Sequence, residues 1–184
     1  LEASRNGPIL PIYIIEKQLW LQPDLTGRHY NFLKQCLEDL DQSLRSYGAR
    51  LIIKVGDAIQ ILTELKEKHS FEKLYSHQET WNGWTFKRDI EVRAWARKNH
   101  VHWIEKTQHG VIRGLSCRNG WSANWYSFMN KPAFQKPNRI VFVNEQTDSI
   151  PTNCELKLDN DELYGAPRGG RMEAKKLLNS FLNS

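Results

Sequence analysis

No run of apolar residues in this 184-residue chain approaches the roughly 18 needed to cross a membrane, and no signal-peptide pattern opens it. Cysteine is scarce. Cys36, Cys117 and Cys154 lie far apart without metal-ligand spacing, which suits reduced thiols in an intracellular, cytoplasmic protein and argues against a disulfide framework. Several catalytic signatures are missing too. There is no Gly-x-Gly-x-x-Gly after a strand, no Gly-x-x-x-x-Gly-Lys-Ser/Thr phosphate loop and no Gly-x-Ser-x-Gly elbow. His77 is a single imidazole near a strand end, with no activated nucleophile beside it in sequence. No catalytic residue and no metal site is assigned on these grounds. Repeats and low-complexity tracts are likewise absent.

What is present fits a soluble α/β domain with a substantial core. Apolar residues make up 40% of the chain and charged residues 26%. The net charge of +5 is unevenly placed: residues 86–139 hold eleven Lys/Arg against three Asp/Glu, so the remainder is net negative. A basic region attracts phosphate backbones regardless of sequence, and a solvated helix face with a basic loop would look the same. Within it Arg113, Arg118 and Lys131 are candidates for a DNA-facing or interdomain surface.

Periodicity sets the order of elements. Ile9–Glu16 is a near-continuous apolar run of the kind found in parallel strands buried on both faces, and Arg50–Val55, Lys73–His77 and Val101–Lys106 are the next strands. Between them fall helices over Arg28–Tyr47, Ala58–Lys68 and Thr85–Lys98. The first should bury Phe32, Leu33, Cys36, Leu37, Leu40 and Leu44, and Gly48 should end it. The second should bury Ile59, Ile61, Leu62 and Leu65, with Asp57 as its cap. Alternation of this kind predicts a doubly wound, Rossmann-like parallel sheet. Lys17–Gly27 reads as a loop whose Trp20 covers the core. Beyond Gly110 a short helix near Ser122–Met129, a small strand at Ile140–Asn144, an irregular acidic stretch Pro151–Tyr164 and an amphipathic helix Arg171–Leu182 are expected. The opening Leu1–Pro8 resembles the last turn of a helix, with Gly7 and then Pro8 beyond it.

In parallel sheets ligands sit outside the carboxyl ends of the strands. The loop Gln78–Gly83 lies at such an end, which makes Glu79, Asn82 and Thr85 candidates for a polar rim around a flat heteroaromatic ligand, with Trp81 or Trp84 as a wall. A second reading has Asn82 or Thr85 capping the next helix and Glu79 pairing with Arg88. Arg28 stands at a helix start, where the dipole disfavours a cation, so a partner is expected: Asp24 or an anionic ligand group. Arg168-Gly-Gly170 before a helix is a weak phosphate-loop candidate. The remaining tryptophans read as core packing.

Residues His77-x-Glu79-Thr80-x-Asn82-x-x-Thr85-x-x-Arg88-Asp89, then Val92 and Trp95, resemble the N-terminal α/β domain of the DNA photolyase/cryptochrome family. The loop is closest to a bacterial branch that writes it His-x-Glu-Thr-x-Asn. Pro11–Glu16 with Leu19-Trp20, Arg28 with Phe32-Leu33, Gln108–Ile112, and Gly120-Trp121 with Trp125 and Met129 extend the similarity over residues 1–132. The resemblance implies an antenna domain at 1–132 that lacks the family's first strand, a central one, and whose loss would leave a hydrophobic gap or favour self-association. It further implies a linker and helix at 133–184 leading to a flavin-binding helical domain. In the full protein, flavin adenine dinucleotide and blue light would split pyrimidine dimers in damaged DNA; a blue-light sensor without repair, or a free-standing nucleotide-binding domain, are alternatives. Glu79, Asn82, Thr85, Arg28 and Asp24 would hold an antenna pigment. The family's folate pattern puts Asn-Glu where this chain has Trp84-Thr85, so a deazaflavin or flavin is implied over folate.

Overall fold

A computed structural model describes residues 2–135, 137–159 and 165–183. Two compact units make up the chain, one formed by Ala58–Lys136 and the other by Glu2–Asp57 with Pro137–Ser184. Each contains one pair of parallel strands.

In the second of these, β1 (Ile12–Ile15) pairs in parallel with β2 (Ile52–Val55), Ile12 opposite Ile52 and Ile15 opposite Val55. A parallel pair needs a long crossover. Here it consists of a one-turn helix, α1 (Lys17–Trp20), and the 19-residue α2 (Gly27–Arg45). The one-turn helix falls in the expected loop. β1 is shorter than the predicted Ile9–Glu16 because Pro8 and Pro11 have no N–H to give a ladder. Between them only Ile9 bonds onward: its N–H donates to Val141 O (2.9 Å) and its carbonyl accepts from Val143 N–H (2.8 Å). The strand predicted at Ile140–Asn144 is therefore a single bridge, Ile9 to Phe142.

The core of this unit is Ile15, Trp20, Leu25, Tyr30, Leu37, Leu51, Ile53 and Leu156, with Leu33 and Leu44 packed against it. Trp20 does cover the core, its ring 4.7 Å from that of Tyr30 in an edge-on arrangement. Two of the expected α2 core residues, Phe32 and Leu40, are exposed. At about 100° per residue, Phe32 lies about 200° round the helix from fully buried Tyr30, so the buried stripe runs through Tyr30, Leu33 and Leu37 instead. Gly48, with φ of +74°, ends the helix as expected. Asp41 then joins helix to strand: its Oδ1 accepts the Leu51 N–H and its Oδ2 the Arg45 Nε–H, both at 2.7 Å. Burial raises the Asp41 pKa, but these hydrogen bonds outweigh it and hold the carboxyl below its usual range.

Residues 145–158 return along this unit. Thr147 Oγ1 accepts the Ile53 N–H, Asp148 Oδ2 the Val55 N–H, and the Asp148 N–H donates to Ile53 O, each at 2.9 Å. Side chains thus finish the edge of β2 where no strand does. Of the stretch expected to be irregular, Asn153–Lys157 forms turns and 160–164 lies outside the described residues. The last helix, α6 (Arg171–Leu182, numbered after the three helices that follow here), has the predicted bounds.

In the other unit, α3 (Ala58–His69) buries Ala58, Ile61, Leu62 and Leu65 and leads to β3 (Lys73–His77). α4 (Gly83–Lys98) crosses to β4 (His102–Lys106), parallel to β3 with Lys73 opposite His102 and His77 opposite Lys106. Trp95 is buried on α4, and its indole N–H donates to Thr63 Oγ1 on α3 at 2.9 Å. α5 (Trp121–Met129) follows.

Tyr30 supplies a test of the first core. Its hydroxyl donates to Pro151 O at 2.7 Å, and its pKa is pushed up to about 12 by burial, then by the charge of Glu155 and by Tyr13. The unfolded chain loses this proton near the ordinary value of 10.0 while the folded chain keeps it. The contribution is complete below that pH and is lost as pH climbs towards 12. Tyr30→Phe should cost about 1–2 kcal/mol at neutral pH by leaving a carbonyl unpaired. In denaturant titrations repeated across the alkaline range, it should also flatten the fall in stability that the unsubstituted chain shows above pH 10.

Candidate functional site

The loop after β3 keeps the ladder going for one more residue, since the Gln78 N–H donates to Lys106 O at 2.9 Å. Glu79 then folds back on its own loop: Oε1 accepts the N–H of Thr80 (2.8 Å) and of Trp81 (3.1 Å). Thr80 Oγ1 lies 3.3 Å from His109 Nε2, which ties the loop to the segment after β4. Asn82, in an extended conformation, is the N-cap of α4, and its Oδ1 accepts the Thr85 N–H at 3.0 Å. Thr85 answers by donating its hydroxyl to Asn82 O at 2.9 Å and is 1% exposed.

Of the two readings of Asn82 and Thr85, the geometry contains the capping one. Glu79 is half-buried and engaged by loop N–H groups, while Trp81 is 53% exposed at the tip. Trp84 is half-buried beneath the Arg88 guanidinium, 5.9 Å from its ring centre.

A chain of charges anchors this loop from behind. Buried Asp89 accepts from Arg88 (3.0 Å) and from Arg113 (3.2 Å); Arg113 also binds Glu105 (2.9 Å), which in turn binds Arg93 (2.8 Å). Arg113 therefore fastens the segment after β4 to α4 and β4. Read from the sequence as part of a DNA-facing or interdomain surface, it is three-quarters buried and held between two carboxylates. Arg118 and Lys131 are exposed, the latter's ammonium 5.5 Å from the centre of the Phe128 ring. Lys136, part of the same basic stretch, lies outside the described residues. Nothing in the sequence spacing marks the Asp89–Arg113–Glu105 set, because its members come from a helix, a loop and a strand. The neighbouring glycine has a clearer reason: a Cβ on Gly110 would strike the Trp125 indole.

Asp24 and Arg28 fall in the other unit, flanking the start of α2, and both are exposed. That start is closed by Thr26 and His29, the Thr26 N–H donating to His29 Nδ1 at 3.3 Å. Sequence reading missed this box, since histidine replaces the usual Glu or Gln at its third helical position. Arg168-Gly-Gly170 does not form a phosphate loop. The Gly169 N–H donates to Gln35 Oε1 (2.6 Å) and the Arg171 N–H to Asp39 Oδ2 (3.1 Å), so a carboxylate already occupies the start of α6. A Cβ on Gly169 would run into Phe32 O. Among the described residues no group of three or more His, Cys, Asp or Glu could hold a metal ion, and no helix is long and apolar enough to cross a membrane.

Removing the cap tests the local reading. Asn82→Ala should cost about 1 kcal/mol in chemical denaturation, whereas Asn82→Asp should retain most of the stability.

Comparison with known proteins identifies the architecture. A family model described as DNA photolyase matches residues 1–120. Cryptochrome-1 of Spalax judaei is 25% identical over 162 residues, which is 85% of this chain and 27% of that protein. Among solved structures, the Synechocystis cryptochrome superposes with a TM-score of 0.77 at 14% identity, covering 98% of this chain and 42% of that one. A photolyase from Sulfolobus tokodaii, described as carrying two FAD molecules and implying a novel light-harvesting cofactor, gives 0.67 at 21% identity over 96% of this chain and 41% of that one. The chain thus spans less than half the length of the proteins it matches, and these come from animals, bacteria and an archaeon alike, so no bacterial branch is singled out. The fold is that of photolyase and cryptochrome N-terminal domains, and the chain belongs to the DNA photolyase family.

Proposed function

We propose that this chain is the antenna-holding α/β domain of a photolyase-like flavoprotein, with the pigment resting on the loop Gln78–Gly83. The observation that carries the reading is that the family match over residues 1–120 runs through this loop and the helix it caps. Glu79 and Trp81 are the residues proposed to meet the pigment, one by its carboxylate and the other by its exposed indole face. Asn82 and Thr85 take a supporting role, since their polar atoms are engaged with each other. Arg28 and Asp24, in the other unit, are not needed for this reading.

Burial of Thr85 favours a deazaflavin or flavin over folate. The folate pattern implied by the resemblance needs a carboxylate at that position, and a side chain 1% exposed at a helix start leaves no room to present one. For the whole protein we propose light-driven repair of pyrimidine dimers by bound flavin adenine dinucleotide, with damaged DNA and a flavin-binding helical domain as partners. The cofactor would do the chemistry, and this domain would set the pigment's position. Exposed Arg118 and Lys131 are the basic residues proposed for the DNA-facing or interdomain surface.

The test is the near-ultraviolet and visible absorption of the gently purified chain beside that of its longest natural form. Deazaflavin or flavin bands are expected in both, and Glu79→Gln or Trp81→Ala should reduce pigment occupancy in the chain by about tenfold, as loss of a charge-assisted bond or a stacking face would. Absence of colour from both forms would overturn the reading. Colour that survives both substitutions would move the pigment away from this loop.

A further inference from the structure

A groove of about 1270 Å³ lies between α2 and residues 152–159 and 166–168, wholly within one unit. Arg28 and Lys34 line it from the helix, Lys157 and Arg168 from the opposite wall. Against these four cations stand the carboxylates of Glu38 and Asp159. Among the described residues Lys34, Lys157 and Arg168 make no ion pair. Lys34 is half-buried, and its ammonium is held only by neutral groups: Asn153 Oδ1 at 3.2 Å and the Tyr30 ring at 5.2 Å from the centroid.

The three cations that make no ion pair repel one another, and at half-buried Lys34 a lower local dielectric strengthens the repulsion. An anion entering the groove would relieve it. Asn153 adds a second observation. It lines the groove, it is more than nine-tenths buried, and among the described residues its Nδ2 has no acceptor, which costs about 1–3 kcal/mol until one arrives. Phe32, 45% exposed on the same wall, offers a flat apolar surface one turn along α2 from Arg28. Cations beside an exposed aromatic face match the chemistry of a phosphate-bearing ligand with a ring, and the volume is ample for one.

We propose that this groove binds a phosphate-bearing ligand of nucleotide size, its phosphates set among Lys34, Lys157, Arg168 and Arg28 and its ring against Phe32. The site is separate from the loop proposed for the pigment and does not depend on that reading. Phosphate alone and phosphate joined to a ring differ only in their use of Phe32, so two probes separate them.

The test is calorimetric titration of the 184-residue chain with inorganic pyrophosphate and with adenosine diphosphate. Both should bind, more weakly as salt rises. Lys34→Met, which keeps the stem packed on Tyr30, and Arg168→Gln should each weaken both probes about tenfold. Phe32→Ala should weaken adenosine diphosphate alone, while Arg97→Gln, an exposed cation on α4, should change neither. Circular dichroism and the thermal midpoint show whether each variant is folded. No binding of either probe at millimolar concentration overturns the proposal, as does an equal loss in Arg97→Gln and Lys34→Met, which would mean a general charge effect. Adenosine diphosphate that binds no more tightly than pyrophosphate and is indifferent to Phe32→Ala overturns the nucleotide assignment.

Discussion

Every helix in this fold begins with backbone N–H groups that have no partner in the helix, and the helix after β3 begins where a ligand would sit. This constraint governs how polar residues are used at the mouth of the sheet. At α4 it claims Asn82 and Thr85 outright, and Glu79 is drawn into the same task one residue pair earlier, binding the N–H groups of Thr80 and Trp81. At α2 the task falls to Thr26 and His29, and at α6 to Asp39 from a different helix. Three helix starts with an anionic preference are thus closed by protein groups. What is left for recognition is what the caps do not need: the Glu79 oxygen not bonded to its loop, an exposed indole at Trp81, and cations such as Lys34 on the side of α2.

The same need for satisfied donors explains how the edge of a short parallel pair is finished. β2 has an edge, and Thr147 and Asp148 complete it with one hydroxyl and one carboxylate oxygen plus a backbone bond. In the other unit the stabilising element is electrostatic. Asp89 is buried, and a lone buried carboxylate would cost several kcal/mol, so its two guanidinium partners are a condition of its being there. Because Arg113 is shared between Asp89 and Glu105, the segment after β4 inherits a fixed place from a charge requirement on α4.

Most of the fold could be read because it rests on local periodicity. β3 and α6 have the predicted bounds, α4 starts two residues early, and β4 begins one residue late. What escaped rests on other physics. Pro8 and Pro11 shortened β1 and reduced the Ile140–Asn144 strand to one bridge, an effect of missing donors that apolar patterning cannot show. Phe32 and Leu40 were placed in the core by spacing, but a long helix with apolar residues on several sides has more than one possible stripe, and Tyr30 decides it through its bond to Pro151, 121 residues away. At the candidate site, the loop itself was legible and the allocation of its atoms was not. Capping and ligand binding use the same residue types, and only coordinates reveal which oxygen already has a donor.

That overlap bears on how such domains diverge. A loop whose polar groups are engaged in capping keeps its shape whatever lies on it, so its one exposed wall can change without unfolding the helix behind. Trp81, at 53% exposure, is free of any structural duty seen at Asn82, and a substitution there alters the wall alone. Thr85 is the opposite case: at 1% exposure, with its hydroxyl on Asn82 O, it could be exchanged for an acidic residue only by burying a carboxylate and giving up that bond. The residue that fixes the local fold is thus the least open to exchange, and the exposed wall beside it the most.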